Sequence, residues 1–290
     1  NMTVSKSEKV MDRLKEIATN GFSPSSLTGY IRNPMQFYFQ RILKVSEVDE
    51  VEEDIAANTL GTIIHATLEQ LYTPFIDTLL SIDKINSCFA KIDSEVTNQF
   101  KVVYKEGEIK KGRNLLAFEV AKRNVFNFLN LELEALKNNE TIKIIALEKT
   151  FERWLTHPKL PFPVLIKGNV DRIEIRNNKL RIIDYKTGKV EKSSVTLSTW
   201  DGLTDDIKND KIIQILAYAF MYENEANNLP IEAGIISFKN LKAGFLPFAF
   251  KTGKELNETI DQNTLHDYVE QIVLLLTEIF DKNIPFEEKI

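Results

Sequence analysis

Hydrophobic and polar residues alternate most regularly in residues 164–189, and this period of two predicts a β-hairpin. Isoleucine and leucine recur at every second position of both halves. Between the halves, Asn177 and Asn178 tolerate the positive φ angles of a type I′ turn. A two-residue turn fixes the pairing register, so Ile173 is predicted to face Ile182.

The same register continues to two acidic residues at the end of the apolar face. Asp171 is predicted to face Asp184 with their Cβ atoms about 5 Å apart, and Lys186 shares the face of Asp184. Two facing carboxylates repel each other unless a cation or a proton lies between them, and hard divalent metals prefer such oxygen ligands. Asp on a strand more often flanks a turn or forms a surface ion pair, and that alternative stays open. On the other face Glu174 meets Arg181, a pairing expected to be exposed to solvent.

Outside the hairpin, the periodicity divides the chain into three parts. Residues 22–137 are mainly helical, residues 142–251 contain the predicted strands, and residues 255–285 contain a long amphipathic C-terminal helix. With 43% apolar and 27% charged residues, the 290-residue chain suits one large globular domain or one core with a helical annex. We therefore expect a single domain over residues 1–290 with a helical insertion.

Two helical segments place polar residues four apart on one face. His65 and Glu69 form one such pair, and Gln214 and Tyr218 form the other. A histidine on a helix is more often structural than a ligand, and the second helix is rich in core residues. Glu148 lies on a predicted strand ahead of the hairpin, where a surface glutamate is equally plausible.

Several motifs together are similar to a known family. G-N-V-D-R-I followed by I-D-Y-K-T-G resembles the nuclease motifs of the PD-(D/E)XK superfamily, in particular RecB-type and AddB-type nuclease domains. G-x-x-x-H-x-x-L-E, Q-x-x-x-Y and an opening S-P-S-S-L occur in the family's order. The resemblance implies an α/β restriction-endonuclease-like core, with a mixed central sheet flanked by helices.

The resemblance also implies roles for single residues. His65, Asp171, Asp184 and the Tyr185 backbone carbonyl would hold Mg²⁺ or Mn²⁺. Lys186, with the two aspartates, would be catalytic, because its ammonium can orient or deprotonate the attacking water and offset charge on the phosphate. Gln214 and Tyr218 would position the DNA strand. Glu69 and Glu148 would not bind the metal directly but would orient the residues that do.

The cysteine content limits the metal chemistry. Many relatives carry a cysteine at the position of Asn33 and three more near the C-terminus, which hold an iron-sulfur cluster. This chain has one cysteine, Cys88, so it cannot supply a four-cysteine site by itself. We expect no iron-sulfur cluster in this chain.

The net charge and the absence of certain motifs limit the other functions that the sequence allows. The formal net charge of −5 does not indicate nucleic-acid binding, although contact with DNA needs only a local basic surface. Residues 101–123 are the most basic segment, and they could form either a solvated helix face or a contact with DNA phosphates. The acidic run at residues 47–54 is predicted to be a loop. The chain contains no P-loop or dinucleotide-binding motif. No segment resembles a membrane span or a signal peptide, so the cytoplasm is the expected location.

The resemblance implies a metal-dependent deoxyribonuclease, and an exonuclease in particular, that acts in DNA end processing, recombination and repair. The expected partners are DNA and a helicase, either as a separate subunit or fused in a longer chain of which this domain is the C-terminal part. Two alternatives remain. The fold could be a weak or inactive module for DNA binding or scaffolding in a helicase-nuclease complex, or it could hydrolyse RNA or another phosphodiester.

Overall fold

The computed structural model describes residues 2–45, 57–103 and 112–289. Its helices in the described part are α1 (Glu8–Asn20), α2 (Pro24–Arg32), α3 (Pro34–Phe37), α4 (Ala57–Tyr72), α5 (Ile82–Phe89), α6 (Ile92–Val103), α7 (Gly112–Lys137), α8 (Asp210–Tyr222) and α9 (Gln262–Phe280). None of them is both long enough and apolar enough to cross a bilayer.

The strands of the described part form three sheets. They are β1 (Thr3–Val4), β2 (Ile142–Leu155), β3 (Val164–Arg176), β4 (Lys179–Lys186), β5 (Thr196–Leu197), β6 (Ile231–Ser237), β7 (Phe245–Pro247), β8 (Ala249–Thr252), β9 (Glu255–Asn257) and β10 (Phe286–Glu287). Strand β1 pairs with β10, and β5, β8 and β9 form a small sheet. The C-terminal helix is shorter than residues 255–285, because β9 occupies the beginning of that range.

The central sheet has five strands in the order β2-β3-β4-β6-β7. Its first three strands form an antiparallel meander, β6 runs parallel to β4, and β7 is antiparallel to β6. Helix α8 lies between β4 and β6 in the chain, as a parallel crossover requires. This mixed sheet with helices packed against it is the predicted restriction-endonuclease-like architecture.

The hairpin forms in the predicted register. Asn177 and Asn178 have φ angles of 50° and 62°, as a type I′ turn requires. Ile175 pairs with Leu180, and Ile173 pairs with Ile182. The local signals of a two-residue turn and alternating apolar side chains were therefore sufficient to define this part of the sheet.

Both faces of the central sheet are buried. Ile182 belongs to one hydrophobic cluster and its neighbour Ile183 to a second one, as expected when successive strand residues point to opposite faces. Helices α1, α2, α8 and α9 contribute to the first cluster, whereas α4, α5, α6 and α7 contribute to the second. Helices α4 to α7 therefore cover one face of the sheet, and α1 and α2, with α8 and α9, cover the other.

The local start signals of two helices were also readable. The Ser23 side chain accepts a hydrogen bond of 3.1 Å from the Ser26 N–H, and Pro24 occupies the first position of α2. Asn33, where the family resemblance implies a cysteine, caps α3 through its side-chain oxygen. The acidic run at residues 47–54, together with Lys105, Lys110 and Lys111 of the basic segment, lies outside the described residues.

Candidate metal centre and catalytic cleft

The predicted site residues meet where β3 and β4 diverge. Backbone pairing extends from the turn to Arg172 and Ile183 and stops one step before the two aspartates. There the Asp171 Oδ2 atom accepts a hydrogen bond of 2.6 Å from the Tyr185 N–H. A side-chain oxygen thus replaces a backbone acceptor, and the two aspartates, expected to face each other across a regular ladder, border an opening between the strands.

That opening is a cleft of about 490 Å³. All of the side chains to which the sequence assigned a role in the site line this cleft, and so does Tyr185. The lining residues with predicted roles are His65, Glu69, Glu148, Asp171, Asp184, Tyr185, Lys186, Gln214 and Tyr218. Helix α4 brings the histidine from the side of the second cluster, and α8 brings the glutamine and tyrosine from the side of the first.

Three of these side chains form a group suited to a metal ion. His65 Nδ1 lies 3.4 Å from Glu148 Oε1 and 3.5 Å from Asp171 Oδ1. One ligand atom from each of the three lies within 4.8 Å of the other two. Glu148, expected from the sequence only as a supporting group, is therefore as close to the centre of the group as the predicted ligands are.

The backbone at Glu148 is unusual for a strand residue. Its φ angle is 43°, in the left-handed region that side-chain-bearing residues rarely adopt. The regular pairing of β2 with β3 skips this position, running from Leu147 directly to Lys149. The Asn169 amide donates a hydrogen bond of 2.7 Å to Glu148 Oε2 and holds the carboxylate in the cleft. Backbone strain of this kind is often found at functional sites.

The electrostatics of His65 follow from its two acidic neighbours. Burial lowers the pKa of its imidazole, but the hydrogen bonds and charges of Asp171 and Glu148 outweigh burial and raise that pKa to about 10. A proton and a metal ion compete for Nδ1. The carboxylates that stabilise the proton would equally stabilise a cation bound between the three side chains.

A second set of contacts runs from Asp184 to α8. Lys186 Nζ lies 2.7 Å from Asp184 Oδ2 and donates a hydrogen bond of 3.0 Å to Gln214 Oε1. Gln214 in turn donates a hydrogen bond of 2.8 Å to the Tyr218 hydroxyl. Burial raises the pKa of Asp184 to about 6, with Lys186 opposing the rise and Asp171 adding to it. Asp184 is thus close to the three-residue group but engaged by the lysine.

Tyr185 and Glu69 contribute at the edge of the cleft. The Tyr185 ring packs edge-on against His65, with centroids 5.5 Å apart, and so limits the tilt of the imidazole. Its backbone N–H holds Asp171, while metal binding by its carbonyl stays a prediction. Burial, followed by the charge of Glu148, raises the pKa of the Glu69 carboxyl.

The expectation that Glu174 and Arg181 form a solvent-exposed pair is wrong. They are opposite each other in the sheet, but Glu174 is fully buried because α4 and α7 cover this face. Arg172 Nη2 lies 2.8 Å from Glu132 Oε2 and 2.5 Å from Glu174 Oε2, and its guanidinium stacks over Tyr72. The buried charges are paired with one another, as burial in a low-dielectric interior requires.

Sequence reasoning overlooked Asn169. Its position was readable, because it lies two residues before Asp171 on the same strand and such residues share a face. Its amide is the group that orients Glu148. The strained turn of the backbone at Glu148 had no local signal, since neither glycine nor asparagine marks it.

The donor set fits a hard divalent cation. One imidazole nitrogen and two carboxylates are ligands that Mn²⁺ accepts and that Mg²⁺ tolerates. Glu148 Oε1 is buried, and its partner in the described part of the protein is the His65 imidazole, with Nδ1 3.4 Å away. A buried carboxylate oxygen is costly unless it is paired, and a cation that replaced the imidazole proton would pair with this oxygen while His65 and Asp171 held it.

Comparison with known proteins agrees with this geometry. The family model for the PD-(D/E)XK nuclease superfamily matches residues 21–289. An uncharacterized protein of Rickettsia felis is 27% identical over 171 residues, and one of Rickettsia conorii is 26% identical over 174 residues. Each alignment covers 58% of this chain but only 19% of the relative, so the chain spans about a fifth of the length of the curated relatives it matches. With nearly its whole length matched by the family model, the chain belongs to the PD-(D/E)XK nuclease superfamily.

Proposed function

We propose that this protein is a metal-dependent deoxyribonuclease that hydrolyses phosphodiester bonds of DNA. One observation carries the proposal: His65, Glu148 and Asp171 lie close enough together to hold a metal ion, in the same cleft as Lys186. These four side chains come from four different elements, α4, β2, β3 and β4, and α4 is well separated in the chain from the three strands. Because the chain belongs to a nuclease superfamily, we interpret this group of side chains as the centre of a phosphodiester-cleaving site.

The ligand set follows from the contacts. His65, Glu148 and Asp171 would hold Mg²⁺ or Mn²⁺, and Asp184 and the Tyr185 carbonyl would complete the set. When bound, the divalent ion supplies Lewis-acid stabilisation of the charge that develops on the scissile phosphate. The Tyr185 N–H keeps Asp171 oriented towards the cleft. Asn169 does the same for Glu148.

Lys186 would act on the water and the phosphate. Its ammonium is held between Asp184 and Gln214, which fixes its position in the cleft. A fixed positive charge there stabilises the developing negative charge of the transition state without the cost of reorganising solvent. The hydrogen bond from Gln214 to Tyr218 orders the side chains of α8 that would position the DNA strand.

The finer assignment rests on the order of the motifs. We propose an exonuclease of the RecB or AddB type, active in DNA end processing, recombination and repair, with a helicase as partner or as part of the same chain. The matched Rickettsia proteins contain much additional sequence, which is compatible with a fused domain in those proteins. Location in the cytoplasm remains an expectation from the sequence.

A cleavage assay tests the proposal. We expect degradation of linear DNA with Mg²⁺ or Mn²⁺, none in excess EDTA, and a loss of at least about a thousandfold in Lys186→Ala, because the lysine acts in the transition state. Lys9→Ala, an exposed lysine on α1, is the matched control and should retain full activity. Cleavage in EDTA, or full activity of Lys186→Ala, would contradict the mechanism. DNA binding without cleavage by the wild type would favour a scaffolding role, and cleavage of RNA alone would change the substrate.

A further inference from the structure

A second groove opens directly beside the catalytic cleft. One wall is helix α2, and the other is formed by residues 186–190 and the first turn of α8; its volume is about 520 Å³. We call it the α2 groove. Lys186 and Gln214 line both the α2 groove and the catalytic cleft, so the two are continuous. A strand with a phosphate at Lys186 has its neighbouring nucleotides at the entrance of this groove.

The wall formed by α2 is rigid and polar on one side. Ser25, Thr28, Gly29 and Arg32 are spaced so that they share one helical face, and all four line the groove. The opposite face of α2 is fixed in the first hydrophobic cluster through side chains that are almost entirely buried, namely Leu27, Tyr30 and Ile31. The helix therefore presents a fixed row of hydroxyl, backbone and guanidinium groups to the groove.

The facing wall is also held in place. The Ser237 hydroxyl donates a hydrogen bond of 2.7 Å to the Gly188 carbonyl and accepts one of 3.1 Å from the Val190 N–H. These contacts anchor the segment after β4 to β6. A Cβ atom added at Gly29 or at Gly188 would meet nothing within 4 Å, so the glycines leave open space for a ligand close to the backbone.

The charge of the groove is opposite to that of the whole protein. Four cationic side chains line it, Arg32, Lys186, Lys189 and Lys211, and Asp210 is the one carboxylate among the lining residues. Lys186 and Lys189 are also paired with Asp184 and Glu191, which lie outside the lining, so the cations still outnumber the carboxylates. The chain as a whole has a formal net charge of −5. Asp210 lies 4.0 Å from Arg32 and 3.2 Å from Lys211, and the Arg32 side chain is 61% exposed. Such exposed ion pairs are weak, so the guanidinium can exchange Asp210 for a phosphate.

We propose that the α2 groove binds the sugar-phosphate backbone of the strand being cut, next to the scissile phosphate. This deepens the proposed function and rests on it. None of the described residues lining the groove is aromatic, so it offers no platform on which bases could stack. Recognition is by charge and by hydroxyl groups. The substrate is therefore a nucleic acid strand that extends at least one nucleotide beyond the scissile bond, read without regard to base sequence.

The experiment compares two triple variants with the same change in charge. The groove variant is Arg32→Ala/Lys189→Ala/Lys211→Ala, and the control variant is Lys9→Ala/Lys15→Ala/Lys91→Ala, whose lysines are exposed elsewhere. Each is assayed with Mn²⁺ on single-stranded oligothymidylate and on bis(p-nitrophenyl) phosphate, a diester too small to reach the groove. We expect the groove variant to lose about tenfold or more in kcat/KM on the oligonucleotide. Cleavage of the small diester should stay at the level of the control variant.

Oligothymidylate binding measured in EDTA tests the groove proposal independently of the nuclease proposal. A plot of the logarithm of the oligothymidylate association constant against the logarithm of the salt concentration has a negative slope, which grows by about 0.7 for each phosphate contact to a single strand. The groove variant lacks three such contacts, so its slope should be shallower than that of the control variant by about 2. If the wild type cuts neither substrate, the nuclease proposal fails, and this slope alone decides the groove. Equal slopes and equal oligonucleotide cleavage in both variants overturn the groove proposal and leave the nuclease proposal intact.

A steric variant gives an independent check. Gly29→Gln projects into the groove without changing charge, and replacing glycine within a helix does not weaken the helix. We expect oligonucleotide cleavage to fall while the melting temperature and small-diester cleavage are kept. Unchanged oligonucleotide cleavage by this variant would show that the strand does not pass through the α2 groove.

Discussion

The carboxylate of Asp184 is the most sensitive electrostatic element of the cleft. It is buried, it lies 2.7 Å from the Lys186 ammonium, and its pKa is raised to about 6 by burial, with Asp171 adding to the rise. The folded protein therefore holds a proton on Asp184 more tightly than the unfolded chain does. It follows that the contribution of Asp184 to the free energy of unfolding falls as pH rises from about 3.8 to about 6 and stays at the lower value above that.

Substitution of this residue tests the crowding directly. Asp184→Asn keeps the shape and removes the buried charge, so in EDTA at neutral pH we expect it to unfold with a free energy higher than the wild type by on the order of 1 kcal/mol. Below about pH 4 the difference should vanish. Excess Mn²⁺ should narrow or reverse it, because the ion stabilises the intact site. Thermal unfolding of both proteins measures this, and a variant no more stable than wild type in EDTA would show that the carboxylate is not destabilised.

Arg172 shows at the residue scale where sequence patterns stop being informative. The alternation in β3 correctly placed it and Glu174 on the face opposite Ile173. A charged face in an antiparallel pair normally faces water. Here Glu132 of α7, distant in the chain, supplies the second partner that makes burial tolerable. No local sequence pattern indicates such a distant partner. The burial of this charged strand face could therefore not be predicted.

At the scale of elements, strand β2 carries the strain of the site. Its pairing with β3 is irregular near Ile144 and Ala146 and is interrupted again at Glu148, the residue with positive φ. At the interruption the Glu148 carboxylate lies beside His65 and Asp171.

Two substitutions at this position separate strain from charge. Glu148→Gly and Glu148→Ala both remove the carboxylate, but only alanine keeps a Cβ at a φ of 43°. We expect the glycine variant to be more stable by on the order of 1 kcal/mol, because glycine adopts left-handed angles without steric cost. Urea unfolding of the two variants gives the comparison. Equal stabilities, or a more stable alanine variant, would contradict a strained backbone at this position.

The hairpin of β3 and β4 was predictable to the residue because its determinants are local. The two-residue turn and the alternating isoleucines define every pair from Arg176 to Arg172. The splay after Arg172 was not predictable. It depends on the Asp171 side chain taking the Tyr185 N–H and on α4 and α8 packing at that end, both of which are tertiary effects.

At the scale of the whole molecule, the nearness of the site residues could be anticipated only from the combination of motifs. Sequence periodicity placed His65 and Gln214 on separate helices, and nothing local shows that these helices approach one cleft from opposite sides of the sheet. The family resemblance supplied that relation. The α2 groove had no sequence signal, because its charges come from three segments and the chain is acidic overall.

The cysteine content leads to a prediction for the whole protein. Cys88 is the only cysteine and is buried, and Asn33, which stands where the resemblance to AddB-type domains implies a cluster ligand, caps a helix. We expect the purified protein to be colourless and to contain no stoichiometric iron. Absorbance spectroscopy with iron analysis measures this. A broad band near roughly 400 nm together with stoichiometric iron would contradict it.

The most direct test of a metal-dependent cleft is the position of a bound ion. Crystals soaked in Mn²⁺ should give an anomalous density peak in contact with Asp171, between His65 and Glu148 and on the side of the cleft that faces Asp184. Crystals of Asp171→Asn serve as the control and should lose the peak. A wild-type crystal with no peak in the cleft, or with its only strong peak elsewhere on the protein, would contradict the assignment of this group as the metal centre.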